Sequence, residues 1–423
     1  MTDHDHDHEH SHDLPRIDPA FMRGLTQSRM SRRDLLRSAG VGAGALSLGA
    51  ILAACGVKGT TNAQKNTDIG TTTWWDQQAK TTELVFANWP YYIDIKDGAH
   101  PSIDKFTADT GINVSYKTPI NGNDTFYSKI APLLKNSQAT GYDIVVLTTN
   151  SPVLDKMIHT NGWAIPLDQR QMVNFKANAS PLVSDPPWDP GNKYTMAWQS
   201  GLTAIGYNPK ITGREITSVQ DLFDPAFSGH VGMMSDLQEI GTVGLLATGV
   251  DPATSTPDDW QKAADKLKAQ TPLVHSYYDQ GYIDDLESGD IWISMAWSGD
   301  VFQANKSGFT DLKMAVPTEG GMLWTDNMMI PLYAQNPQSA MKYMDSVYAP
   351  DIAGTIADYV TYITPCAACQ DYIRTTLNDP KAADSQLIFP SADTASKFKN
   401  YYQYKDESEV TAWNDIFEPI VTQ

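Results

Sequence analysis

From Glu83 to the C-terminus, short apolar runs alternate with amphipathic segments. The runs ELVFAN (83–88), NVSY (113–116), DIVVL (143–147), TAIGY (203–207), HVGMM (230–234), IWISMA (291–296), LKMAV (312–316) and MMIPLY (328–333) predict strands. DIVVL shows no polar alternation, which is what a strand covered on both faces requires. The intervening spacing predicts helices over 102–111, 123–136, 236–249, 257–270, 337–348 and 351–360. The first opens on Ser102 and closes on Gly111, and the second carries Pro132, whose missing N–H predicts a kink. Strands alternating with helices predict an α/β fold built on open parallel sheets with helices on both faces. About 340 patterned residues exceed one comfortable core, so two lobes are expected.

Upstream of residue 83 the pattern is lost. Residues 4–13 read HDHDHEHSHD, a His/acid tract that cannot build a core and is expected to be a solvated leader. Ser31-Arg32-Arg33-Asp34-Leu35-Leu36-Arg37 resembles a twin-arginine export signal, and the weakly apolar stretch after it, 38–54, is too short for a membrane span. Leu52-Ala53-Ala54-Cys55-Gly56 resembles a bacterial lipobox. That resemblance implies cleavage before Cys55, a diacylglyceryl group on its thiol, and a location on the outer face of the cytoplasmic membrane. Residues 1–54 are therefore expected to be a signal peptide and 55–81 a flexible tether.

Composition narrows the classes. With 41% hydrophobic and 10% aromatic residues in 423, the chain is not a disordered one. The formal charge is −19, and because residues 1–54 carry six arginines and seven acids, their removal leaves −18 on the folded part. Such a surface repels nucleic acid and favours cationic partners. The histidines beyond the leader, at 100, 159, 230 and 275, are scattered, so no metal site is expected and no cofactor is implied. Gly320-Gly321 is not followed by Lys-Ser/Thr, which excludes a phosphate loop. Cys366 and Cys369 have CxxC spacing without the flanking pattern of a redox domain, and are expected to form a structural disulfide or to be two quiet thiols.

Aromatic and acidic residues gather at strand ends. Trp89 and Tyr92 follow the first strand, Asp236 and Glu239 open the helix after HVGMM, Trp297 and Asp300 follow IWISMA, and Trp324 and Asp326 precede MMIPLY. In open α/β sheets ligands bind outside the strand ends. The set lacks a nucleophile and a base, but it suits an aliphatic polyamine: carboxylates accept from ammonium groups, and aromatic faces enclose methylenes with a cation–π contribution of about 0.5–2 kcal/mol. Two other readings share these residues. A secreted glycosidase could use Asp300 and Asp326 as its carboxylate pair, and a binding protein of the same fold could take another small ligand.

The motifs NWPYY (88–92), FTADTGINVSY (106–116), YDIVV (142–146), TAIGYN (203–208), SDLQE (235–239), WSGD (297–300), EGGMLWTD (319–326), YITP (362–365) and YYQ (401–403) together resemble the spermidine/putrescine-binding proteins of bacterial ABC importers. The resemblance implies a periplasmic-binding-protein fold of type II: two α/β lobes, a hinge and a central ligand cleft. It places crossovers near Gly201–Thr203 and Thr325–Asp326, with residues 82–201 plus 325–371 in one lobe and 202–324 plus 372–423 in the other. It implies that Trp89, Trp297 and Trp324 stack on the ligand, that Tyr92 and Tyr362 line the slot, and that Asp236, Glu239 and Asp326 hold ammonium groups. Gln403 would add a hydrogen bond. Asp300 matches the acid of putrescine-preferring members, and its presence beside Asp236 and Glu239 leaves the preference between the two polyamines open. Pro90 and Asn150 depart from the family pattern, and the long stretch 92–102 brings extra acids, Asp94 and Asp97. A monomer is expected that performs no chemistry and partners an ABC permease and its ATPase.

Overall fold

The computed structural model describes residues 68–278, 281–306 and 312–422, so the export signal, Cys55 and the first part of the tether lie outside the described residues. Ten strands form one curled mixed sheet: β1 (Glu83–Ala87), β2 (Asn113–Lys117), β3 (Ile144–Thr148), β4 (Thr195–Tyr207), β5 (Val231–Met234), β6 (Val274–Tyr278), β7 (Ile293–Trp297), β8 (Lys313–Ala315), β9 (Gly321–Met329) and β10 (Phe398–Lys399). The order is β2-β1-β3-β9-β4-β7-β5-β6, with β8 on β4 and β10 on β9. Two parallel triplets, β2-β1-β3 and β7-β5-β6, are joined by β9 and β4, which run antiparallel to each other and to their outer neighbours. The purely parallel sheets expected from the alternation are thus corrected. A strand that leaves one parallel sheet and enters the next meets its neighbours running the opposite way.

Two apolar cores flank this join. One holds Phe86, Val145, Trp198, Met328, Met329, Tyr343 and Ile356, the other Ile205, Tyr207, Met233, Trp260, Met295, Trp324, Trp413 and Phe417. The chain changes core between Trp198 and Ile205 on β4 and between Trp324 and Met328 on β9. A third passage follows, because Ile373, Ala382, Ala383 and Ile388 pack in the first core while Tyr401 packs in the second. The segment 372–388, expected in the second lobe, thus packs its buried apolar residues in the first core.

The predicted helices form with small shifts, at Pro101–Thr110, Asn123–Lys135, Leu237–Ala247, Pro257–Gln270, Pro337–Ser346 and Pro350–Val360. Four of the six begin on proline, whose absent N–H would have had no partner in the first turn. Gly111, at φ 71°, closes the first of them. The strand expected over 328–333 is displaced: it starts at Gly321 and stops at Met329, before Pro331, and Tyr333 has φ 66°. The expected tether also shortens. Residues Thr72–Asp76 form a short helix whose Trp74 and Trp75 join the first core, with the Trp75 indole donating to the Pro166 carbonyl at 3.0 Å.

Candidate functional site

The two strands that change core carry the centre of the site. On β9, Trp324 and Asp326 are two residues apart and share a face. Opposite Trp324 in the ladder stands Gly201 of β4, where a Cβ would fall 2.0 Å from the indole ring, so only glycine lets Trp324 lie flat on the strand. Opposite Asp326 stands Thr148 of β3, whose hydroxyl donates to Asp326 Oδ1 at 2.5 Å. Tyr362 arrives from the loop after Pro350–Val360, where Thr361 at φ 59° turns the chain and Ile363 forms an antiparallel bridge to Ser200. Its ring meets Trp324 at 5.3 Å and Tyr92 at 5.5 Å, both edge to face. It also covers Gly299, where a Cβ would be 2.3 Å from the ring. Tyr362 thus links Tyr92 of the first core with Trp324 of the second and with Gly299 in the first turn of the helix Ser298–Lys306.

The acids come from both sides. Glu239, in the first turn of Leu237–Ala247, is fully buried. Its Oε1 accepts from the Thr203 hydroxyl at 2.9 Å and the Tyr401 hydroxyl at 2.7 Å, whereas its Oε2 has no hydrogen-bond partner. Burial, and then the neighbouring Asp236 charge, push the Glu239 pKa up to about 8, while Tyr401, Thr203 and the nearby Asn150 amide pull it back. Asp326 is pushed up to about 6 by burial and steadied by Thr148 and by Tyr92, whose hydroxyl lies close without completing a well-aligned bond. Asp300 is likewise raised to about 6 by burial, against a hydrogen bond from Tyr282. Among the described residues no Lys or Arg pairs with Glu239, Asp300 or Asp326. Two buried carboxyls, Glu239 and Asp326, and the half-buried Asp300, all without a counter-charge among the described residues, have the chemistry that suits a cation.

The comparisons agree with this chemistry. The family described as "Bacterial extracellular solute-binding protein" matches residues 141–397. The spermidine/putrescine-binding periplasmic protein of Salmonella typhimurium is 31% identical over 316 residues, covering 74% of this chain and 85% of that one. The chain belongs to the spermidine/putrescine-binding family of bacterial extracellular solute-binding proteins. A second member of this family, the putrescine-binding periplasmic protein PotF of Escherichia coli K12, is 27% identical over 339 residues, covering 75% of this chain and 86% of its own. The crystal structure of the spermidine/putrescine ABC transporter substrate-binding protein PotD from Streptococcus pneumoniae superposes with a TM-score of 0.69 at 25% identity, covering 81% of this chain and 99% of that one. The α/β periplasmic-binding-protein fold expected from the sequence is the fold of this solute-binding family.

Other expected residues are placed less centrally. Asp236 is exposed, and its Oδ1 caps the Leu237–Ala247 helix by accepting from the Gln238 and Glu239 N–H groups, both at 3.0 Å. Trp89 is half-buried against the first core, in ring contact with none of the other site aromatics among the described residues, and its indole N–H has no partner. Trp297 ends β7 and packs edge-on to Tyr282 at 6.2 Å. Gln403 is exposed, donates to the Tyr401 carbonyl at 3.4 Å, and lines an outer cavity of about 320 Å³ between Thr149–Thr160 and Tyr402–Val410. At the rim of this cavity Lys156 and Glu407 pair at 2.5 Å across the two cores. Asp94 is spent on structure, accepting from the Ser102 N–H at 2.9 Å and from its hydroxyl at the start of Pro101–Thr110, and Asp97 is exposed.

Sequence reasoning missed the residues that hold the acids: Thr148, Thr203, Tyr282 and Tyr401. Tyr401 stands inside the YYQ motif and donates its hydroxyl to Glu239. Cys366 and Cys369 are fully buried free thiols, the first donating to the Tyr348 carbonyl at 3.5 Å and the second to the Cys366 carbonyl at 3.1 Å. The Cys369 thiol is pushed up, first by the Cys366 sulfur beside it and then by burial, while the Cys366 thiol is lowered, first by the same hydrogen bond with Cys369. Among the described residues there is no cluster of metal-ligating side chains, and no helix is long and apolar enough to cross a membrane.

Proposed function

We propose that this solute-binding protein captures spermidine or putrescine outside the cytoplasm and hands it to an ABC permease with its ATPase, performing no chemistry. The observation that carries the reading is Glu239 Oε2, a buried carboxylate oxygen without a partner, in a site that also holds Asp326 and Asp300 and is edged by Tyr92, Tyr362, Trp297 and Trp324. An ammonium supplies the missing partner, and the rings enclose the methylenes. We place the hinge on β4 near Gly201–Thr203 and on β9 near Thr325–Asp326. A ligand bonded to groups of both cores favours closure by its differential affinity for the closed state.

Calorimetric titration with putrescine, spermidine, sugars and divalent metals tests this reading, with small-angle scattering on the same samples. Binding of the amines alone is expected, with a smaller radius of gyration in the complex. Asp326→Ala and Glu239→Ala should each weaken binding by about 2–5 kcal/mol, because each leaves a buried ammonium less well paired. A variant that binds both amines like the parent shows the site to be misplaced, and an unchanged radius sinks closure.

Lipidation at Cys55 would hold a monomeric receptor to the membrane through its acyl chains alone, since two chains satisfy the need for a dual anchor. Cys55→Ser should shift the protein from the membrane fraction to the soluble one. Equal membrane retention removes the anchor claim.

A further inference from the structure

One buried side chain joins two of the expected ligand contacts without being one of them. Tyr282 opens the helix Tyr282–Ser288, is 2% exposed, and packs in the second core. Its hydroxyl accepts the Trp297 N–H at 2.9 Å and donates to Asp300 Oδ2 at 2.7 Å. A phenol has a single proton, and with the Trp297 N–H occupying a lone pair, that proton is directed at the carboxylate. Oδ2 is thereby fixed as an acceptor, and Oδ1 is the oxygen left for a ligand. The other titratable group facing Asp300 is Tyr362, with Asp326 next to Tyr362, and neither holds Asp300 by a hydrogen bond. Between Trp297 and Asp300, Gly299 lies under the Tyr362 ring, so the junction of β7 with the helix Ser298–Lys306 is held by polar bonds from Tyr282 and by contact from Tyr362.

We propose that Tyr282 is the positioning residue that sets how strongly the Asp300 end of the site takes a terminal ammonium: it fixes the Asp300 carboxylate and the Trp297 backbone as one unit. The inference rests on the polyamine reading of this site.

Tyr282→Phe removes the hydroxyl and keeps the ring. With putrescine as the probe, affinity should fall roughly tenfold at neutral pH, the size expected for a lost hydrogen bond to a charged group. The acid limb of the affinity–pH curve should move upward, because losing the donor makes the Asp300 carboxylate harder to form. In an Asp300→Asn background the same substitution should cost nothing further. Site-specific 3-fluorotyrosine at 282, a stronger donor of nearly the same shape, should move the limb downward, and it supplies the test if Tyr282→Phe does not fold. An unmoved limb, or losses that add in the double variant, overturns the positioning role. If Asp300→Asn binds putrescine like the parent, the assignment of this end of the site falls as well, which separates the two failures.

Discussion

At the scale of the residue, the informative group is Glu239, whose carboxyl is held up to about 8 because it is buried next to Asp236 with one oxygen unpartnered. An ammonium at that oxygen favours the ionised form, so binding expels a proton wherever the carboxyl was protonated. Affinity for putrescine should therefore rise with pH, first as Asp300 and Asp326 ionise near 6 and then as Glu239 ionises near 8. The ligand amines stay charged throughout, with pKa values near that of lysine at about 10. The ligand-free protein should behave oppositely. A raised carboxyl pKa means that the folded state binds more protons than the unfolded chain from about 4 up to the folded value, so stability declines as pH rises through that window. Glu239→Gln should abolish the upper step of the affinity curve and flatten the stability curve of the free protein. Calorimetry in buffers of different ionisation enthalpy counts the protons released, and an unchanged count near pH 7 would locate the upper ionisation elsewhere.

At the scale of the element, what could be read from the chain was whatever local pattern decides. DIVVL announces a doubly covered strand by itself, and Ile144–Thr148 is buried throughout. The first half of β4 announces nothing, because TMAWQSG mixes polar and apolar residues while all thirteen positions from Thr195 to Tyr207 are buried. Its polar groups are satisfied by partners distant in sequence, as when Ser200 bonds Thr325 at 2.8 Å. Residues 68–81 lack any period, and the docking of Trp74 and Trp75 depends on the Pro166 carbonyl, 91 residues beyond Trp75. The helix Glu407–Val421 has a local signature of its own: Asp406 caps it, and Trp413, Phe417 and Ile420 fall at helical spacing on its buried face. The site divides in the same way. Residues inside motifs could be named in advance, whereas Thr148 and Thr203 reach Asp326 and Glu239 only because the strand register and the fold bring them there.

At the scale of the whole molecule, charge and shape act on different steps of binding. Residues 55–423 carry −18, and the site's acids have no Lys or Arg partner among the described residues, so a multiply charged cation should be drawn in over a distance set by the Debye length. The edges of Trp297, Trp324 and Tyr362 act only on contact. Raising salt from low concentration to about 0.5 M should slow association by roughly tenfold, as expected when steering is screened. Dissociation from the closed site should change little, since pairs buried away from water feel salt weakly. Trp297→Ala should do the reverse, speeding dissociation and sparing association. Stopped-flow tryptophan fluorescence resolves the two rates, because the reporting indoles lie in the proposed site. If salt instead acts on the dissociation rate, steering by the whole molecule is the wrong account. The electrostatics would then belong to pairs formed after closure, with the bridge of half-buried Lys156 to exposed Glu407 across the cores as the first to remove.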